Sequence, residues 1–160
     1  MSETETLGRC SLFACFKESD LERIVPLCNR WDVEDGAVLF RQGQLAKSLY
    51  VVERGRAALD LSVPRQDSSG YSDSANVAIL GPGEAFGWSA VMEPHIMTLS
   101  ARAIGPGSFI LIDGSALKEM LQRHKELGCL FMTALAQLLA DRLIQTREAL
   151  IYERGIALRV

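Results

Sequence analysis

Between Asn29 and Ile112 apolar side chains recur at every second position in short runs, whereas before and after this stretch they recur at every third or fourth. A period of two marks strands with one buried face, and a period near 3.6 marks helices. The pattern predicts strands at 29–33, 37–41, 47–53, 56–63, 75–80, 85–87, 97–103 and 108–112. Turn residues separate them: Asp35 with Gly36, Gly43 between two glutamines, Arg54 with Gly55, and the Gly-Pro-Gly runs at 81–83 and 105–107. Residues 56–63 set Ala57, Leu59 and Leu61 on one face and Ala58, Asp60 and Ser62 on the other. Short strands at this spacing predict a mainly β fold with flanking helices, an antiparallel jelly-roll (double-stranded β-helix) barrel.

The flanks carry the helices. Residues 1–8 are expected to be a loose tail, and Leu12, Phe13, Ala14, Cys15 and Phe16 form an apolar knot. Ser19 and Glu22 have capping-box spacing, so a helix should start there and run to about Cys28, with Pro26 bending its end. Ser115 is placed to cap a short helix ending near Arg123; a longer one begins near Lys125 and continues toward Glu153, where Gly155 offers a stop. On it Met132, Leu135, Leu139, Leu143, Thr146 and Leu150 alternate steps of three and four, the seam of a two-stranded coiled coil. The expected division is a tail (1–10), a jelly-roll domain (11–125) and a C-terminal helix (126–160) that packs first on the barrel and, beyond Leu143, on a partner helix. The polar run 64–74 reads as a mobile hairpin end, in which Tyr71 is the one group able to cover a ligand.

Composition narrows the function classes. A chain of 160 residues, 48% hydrophobic and 23% charged, buries a core without disulfides or metal and is not disordered as a whole. A net charge of −3 and a pI near 5.4 give no general attraction to nucleic acid or to an anionic membrane. No apolar run approaches the roughly 18 residues of a membrane span. The polar, acidic start lacks the basic and apolar regions of a signal peptide, so a cytoplasmic protein is expected.

The candidate chemistry lies in residues 81–103. A short strand ends in a turn at Phe86 and Gly87, one helical turn follows from Trp88 to Met92, then a loop containing Pro94 and a strand from Met97. Unpaired amides at the start of such a turn, next to a glycine that admits a ligand to the backbone, favour an anion. This stretch resembles the phosphate-binding cassette of the cyclic nucleotide-binding domain superfamily, which includes the catabolite activator protein, kinase regulatory subunits and ion-channel gates. Phe86, Gly87, Ser89 and Ala90 fit its pattern, and Thr98 fits the position after its arginine. The strand pair 40–59, with LYVV at 49–52 and glycines at Gly43 and Gly55, resembles the same family, and the likeness extends from about Leu12 to Leu150.

The resemblance implies a Glu for the ribose hydroxyl and an Arg for the cyclic phosphate. Those positions hold Trp88 and Met97. Losing both charge-assisted contacts should weaken binding by at least about a hundredfold. Arg102 is no substitute: it lies an odd number of positions from Met97, so on a strand it points to the other face, with Thr98 and Ser100. Some relatives hold an iron–sulfur cluster on N-terminal cysteines, but Cys10, Cys15, Cys28 and Cys129 lack the tight spacing, and buried reduced thiols are expected. Family transcription factors add a helix-turn-helix domain after the long helix; with only 151–160 beyond it here, direct DNA binding is not expected.

Catalytic readings find no support. A cupin-type metal site needs several histidines and a carboxylate converging in the barrel, and the sequence has His95 and His124, in a loop and between helices. No serine has a His–acid pair and no P-loop or dinucleotide fingerprint occurs. The expectation is a non-enzymatic regulatory or sensor module, with no obligatory cofactor, homodimeric through the last helix and open to a further protein partner. Any cyclic nucleotide or other small anion would touch Phe86, Gly87, Trp88, Ser89, Ala90, Met97 and Thr98. The alternatives are a true cyclic nucleotide sensor using altered contacts, with His95 or Thr98 near the phosphate, and a ligand-free dimerising scaffold.

Overall fold

The computed structural model describes residues 1–64 and 72–155. Tyr71 and the tip of the expected mobile loop fall outside them, as do residues 156–160. In chain order come α1 (Glu3–Arg9), α2 (Glu18–Ile24), a 3-10 turn (Val25–Leu27), β1 (Cys28–Val33), β2 (Val38–Phe40), β3 (Ser48–Pro64), β4 (Ser72–Leu80) and β5 (Ala85–Phe86). A second 3-10 turn (Trp88–Ala90), β6 (Ser100–Asp113), α3 (Gly114–Arg123) and α4 (Lys125–Glu153) follow. The strands form one antiparallel sheet in the order β1-β6-β3-β4, with β2 paired to β6 and β5 to β3. This is the jelly-roll architecture with flanking helices.

Four of the expected short strands are two long ones. Gly55 and Gly107 carry turn signals, yet they face each other across β3 and β6: a Cβ on Gly55, at φ +86°, would meet the Gly107 Cα and the Pro106 carbonyl oxygen at 2.9 Å. The crossing leaves no room for a side chain there, so with glycine both strands bend through register shifts near Arg54 and continue. The strand expected from Met97 begins only at Ser100, although Met97 is held at the edge by bonds to Gln44 and Gly43.

Alternation along β3 and β6 then divides the apolar residues into two cores. Tyr50, Val52, Leu59, Phe109, Ala101 and Ala103 point into the barrel with Phe40 and Phe86. Leu49, Val51, Ile110 and Ile112 point outward and are covered by helices. The cover is the N-terminal knot (Leu7, Cys10, Leu12, Phe13, Phe16), α3 through Leu117 and Leu121, and α4 through Leu127, Phe131 and Leu135. Phe13 packs on Phe131 with ring centroids 5.6 Å apart. Residues 1–8 are therefore no loose tail: Leu7 is fully buried, and Ser2 and Glu5 form the capping box that starts α1.

The cap expected from Ser19 is not made, because α2 starts two residues earlier behind Lys17, without a side-chain cap. Asp113, not Ser115, caps α3 by accepting from the Ala116 amide at 2.8 Å. Of the cysteines expected to be buried thiols, Cys10 is buried and Cys28 half-buried, whereas Cys15 and Cys129 are exposed; all are free.

Glu53 ties α1 to the barrel. Buried on the outer face of β3, it accepts from Arg30 Nε and Nη2 at 2.8 Å, Ser108 Oγ at 2.7 Å and Thr6 Oγ1 at 3.1 Å. Burial pushes its carboxyl up, but the hydrogen bonds from Arg30, Ser108 and Thr6 together outweigh this and hold it below the usual range.

Beyond Leu135 the packing of α4 thins. Leu138 and Leu139 are half-covered, while Met132, Leu143, Ile144, Leu150 and Tyr152 are exposed. By length and composition α4 is apolar enough to cross a membrane, a property missed when counting only unbroken apolar runs. Its Leu127, Phe131 and Leu135 pack against the knot.

Candidate functional site

The cassette is built by β5, the 3-10 turn and the loop that leads to β6. Gly87 ends β5 at φ +76°, a left-handed conformation that lets the chain turn sharply into Trp88. A side chain there would strike Tyr50 Cδ2 at 3.1 Å and the Ser48 carbonyl oxygen at 3.2 Å. The Ala90 amide bonds to the Gly87 carbonyl at 3.1 Å and that of Val91 to Trp88 at 3.0 Å, so the amides of Trp88 and Ser89 have no acceptor inside the turn. The expected helical turn to Met92 is this shorter 3-10 turn.

The turn, the incoming loop and two strands enclose a cavity of about 20 Å3, lined by Gly87, Trp88, Ser89, Met97 and Thr98 with Phe40, Leu59 and Leu99. That volume holds about one water, against the roughly 300 Å3 or more of a site for a drug-sized ligand. Met97 is one of its walls: 3% exposed, it belongs to the inner core, and its Cε lies 3.5 Å from where a Cβ on Gly87 would be. Trp88 is half-buried and leans on the helical core. Phe86 and Ala90 are brought next to this space without lining it. Phe86 is fully buried and stacks on Tyr50 at 5.2 Å. Phe40, Leu59 and Leu99 were missed as lining residues; their shared parity with inward-facing neighbours was the available signal.

Charged groups near the cassette point elsewhere. Arg102 lies on the outer face, where its Nε donates to Asp60 Oδ2 at 2.9 Å. His95, at φ 57°, turns its ring back so that Nδ1 lies 3.0 Å from the Ser89 carbonyl oxygen, outside the inner cavity. Arg142 of α4 reaches Glu84 at 3.4 Å, and Glu84 also accepts from the Gly81 amide at 2.7 Å, so α4 is fastened to the turn before β5. Among the described residues no group of three His, Cys, Asp or Glu side chains is placed to hold a metal.

Residues 30–124 match the cyclic nucleotide-binding domain model. The chain belongs to the cyclic nucleotide-binding domain family. It is 28% identical to a solved structure described as a cyclic nucleotide-binding protein from Geobacter metallireducens, with a TM-score of 0.74, covering 89% of this chain and 99% of that one. It is 25% identical over 122 residues to a protein described as a potassium channel in Rhodopseudomonas palustris, and 24% identical over 105 residues to a cGMP-dependent protein kinase of Caenorhabditis briggsae. These alignments cover 76% and 66% of this chain but 28% and 13% of the relatives, so the chain spans a small part of the curated relatives it matches. Within this domain Trp88 leans on the helical core and Met97 belongs to the inner core.

Proposed function

We propose that this chain is a non-enzymatic regulatory module whose cassette does not take cyclic AMP or cyclic GMP in the usual way. The observation that carries the reading is the side chain of Met97, 3% exposed in a cavity of about 20 Å3. An apolar side chain packed at the phosphate position leaves no cation for the ligand and no room for its ring. The family relatives, a channel and a kinase among them, use the domain beside other machinery, and regulation of an attached or associated partner is the role that transfers.

Output passes through α4. Arg142 and Glu84 join this helix to the cassette's entrance, and the exposed Leu143, Ile144, Leu150 and Tyr152 form a surface for a second copy in the cytoplasm. Isothermal titration with both cyclic nucleotides at low millimolar concentration tests the reading, with Trp88→Glu/Met97→Arg as a comparison. Little or no heat from the natural chain and measurable binding by the double variant are expected. Saturable binding by the natural chain tighter than about 10 μM, near −7 kcal/mol, overturns it in favour of a true second-messenger sensor.

A further inference from the structure

Outside the cassette, on the opposite side of the Ser89–Ala90 backbone from the inner cavity, lies a larger one of about 410 Å3. Three segments distant in sequence make it: residues 45–47 before β3, Ala90 with His95 from the cassette loop, and the β6–α3 junction from Asp113 to Lys118. None of its lining residues is shared with the inner cavity.

Its frame is held by backbone bonds. The Ala46 amide donates to the His95 carbonyl at 2.7 Å, the Gly114 amide donates to the Lys47 carbonyl at 2.9 Å, and Leu45 bridges Ile96. Gly114 is pressed on the cassette so closely that a Cβ would meet the Ala90 carbonyl oxygen at 2.5 Å. The cavity is therefore preformed.

Its chemistry is cationic on an apolar floor. Lys47 and Lys118 supply two ammonium groups with no ion-pair partner among the described residues, and His95 and the Ser115 hydroxyl add further hydrogen-bonding groups. The single acid, Asp113, accepts from the Ala116 amide and keeps its charge, so two lysines stand against one carboxylate in the lining. Leu45, 60% exposed, and Ala90 give an apolar wall.

We infer that this outer cavity binds a small phosphate monoester, its dianion between Lys47 and Lys118 and its organic body on Leu45. Two lysines and a hydroxyl lining one cavity match a dianion better than a single carboxylate, and the volume lies within the range of small-molecule sites. The ring of His95 reaches from this cavity to the Ser89 carbonyl, so an occupant touches the cassette from outside, whatever the inner cavity holds.

The test is titration of the full chain with phenyl phosphate and inorganic phosphate, followed by amide chemical shifts. Saturable shifts at Lys47, Ser115 and Lys118 are expected, tighter for phenyl phosphate, and weakened at least about tenfold in Lys47→Gln/Lys118→Gln. Leu45→Ser separates the apolar wall from the charges: it should reduce phenyl phosphate affinity and leave inorganic phosphate unchanged. Shifts confined to residues 87–89, unsaturable shifts, or undiminished affinity in the double lysine variant overturn the inference. These outcomes are independent of the cyclic nucleotide titration, which reads the inner cavity.

Discussion

Truncating Met97 to alanine tests whether the cassette is filled by the protein itself. Met97 is 3% exposed among inner-core residues, beside a cavity of about 20 Å3 lined also by Phe40 and Leu59. Large-to-small changes at such sites lose the transfer free energy of the deleted atoms and leave a void that the surroundings only partly close, for Met→Ala about 2–5 kcal/mol. The floor here is β-sheet with the stacked rings of Tyr50 and Phe86, which cannot collapse far, but the loop 91–99 on the other side can settle inward. We therefore expect about 2–4 kcal/mol, read by urea unfolding, and a midpoint lower by roughly 5–15 °C in a thermal scan for a chain of this size. Met97→Leu, which keeps volume, should cost less than about 1.5 kcal/mol. A loss below about 1 kcal/mol for Met97→Ala would mean that the side chain does not pack into the space. The cassette would then be open, and the argument against ordinary nucleotide binding would fall.

Three further outcomes follow from the fold. Glu53→Gln should destabilise by about 2 kcal/mol at neutral pH, as charge-assisted bonds to a buried carboxylate are lost; because the folded carboxyl titrates below its unfolded value, wild-type stability from this group is complete above about pH 4.5 and disappears as pH falls through the folded pKa. Urea midpoints of the two proteins should converge on acidification, and a constant gap down to pH 3 refutes the assignment. Gly55→Ala should cost more than Gly36→Ala by unfolding measurements, since both have positive φ but only Gly55 faces backbone atoms at 2.9 Å; equal losses would remove the close crossing of β3 and β6. Leu143→Glu with Leu150→Glu should convert a dimer into a monomer in light scattering, and a monomeric natural chain, or a dimer indifferent to both changes, removes α4 as the interface.

How far the structure could be read from the chain depends on whether a feature is local. The period along 108–112 separates Phe109 from Ile110 and Ile112, and the same separation divides the barrel core from the helix-covered face. The boundaries of α4 were legible because its periodicity is long and Gly155, at φ 64°, ends it. Gly55 and Gly107 misled because a glycine that permits a turn also permits a close crossing, and only the partner strand distinguishes the two. Capping misled for a related reason: Ser19 has the right spacing for a cap, but the helix starts where Leu21 and Ile24 can reach the core, two residues earlier. The start of the chain was misread because its polarity was weighed above Leu7, one fully buried side chain that orders the whole turn around it.

The cassette illustrates the same division on a functional scale. That Arg102 faces outward follows from its parity with the inward-facing Ala101 and Ala103, and the structure pairs it with Asp60 on the far side of the sheet; Met97 lies before β6 and is held by backbone bonds to Gly43 and Gln44. That Arg102 brings no cation to the inner cavity is therefore local information. The small volume of that cavity is not, because Phe40, Leu59 and Leu99 come from separate segments whose distances no single run of sequence fixes. On the proposed reading these two features act on different terms of a binding equilibrium: one offers no charge pairing, and the other adds the cost of displacing packed apolar side chains. Placing an arginine at the Met97 position supplies only the first, and an arginine is no smaller than the methionine it replaces, so Trp88→Glu/Met97→Arg should gain affinity only where the guanidinium leaves the space that Met97 fills. The outer cavity has the converse origin. Lys47, His95 and Lys118 carry no motif, and they become a site only because β3, the cassette loop and α3 begin side by side.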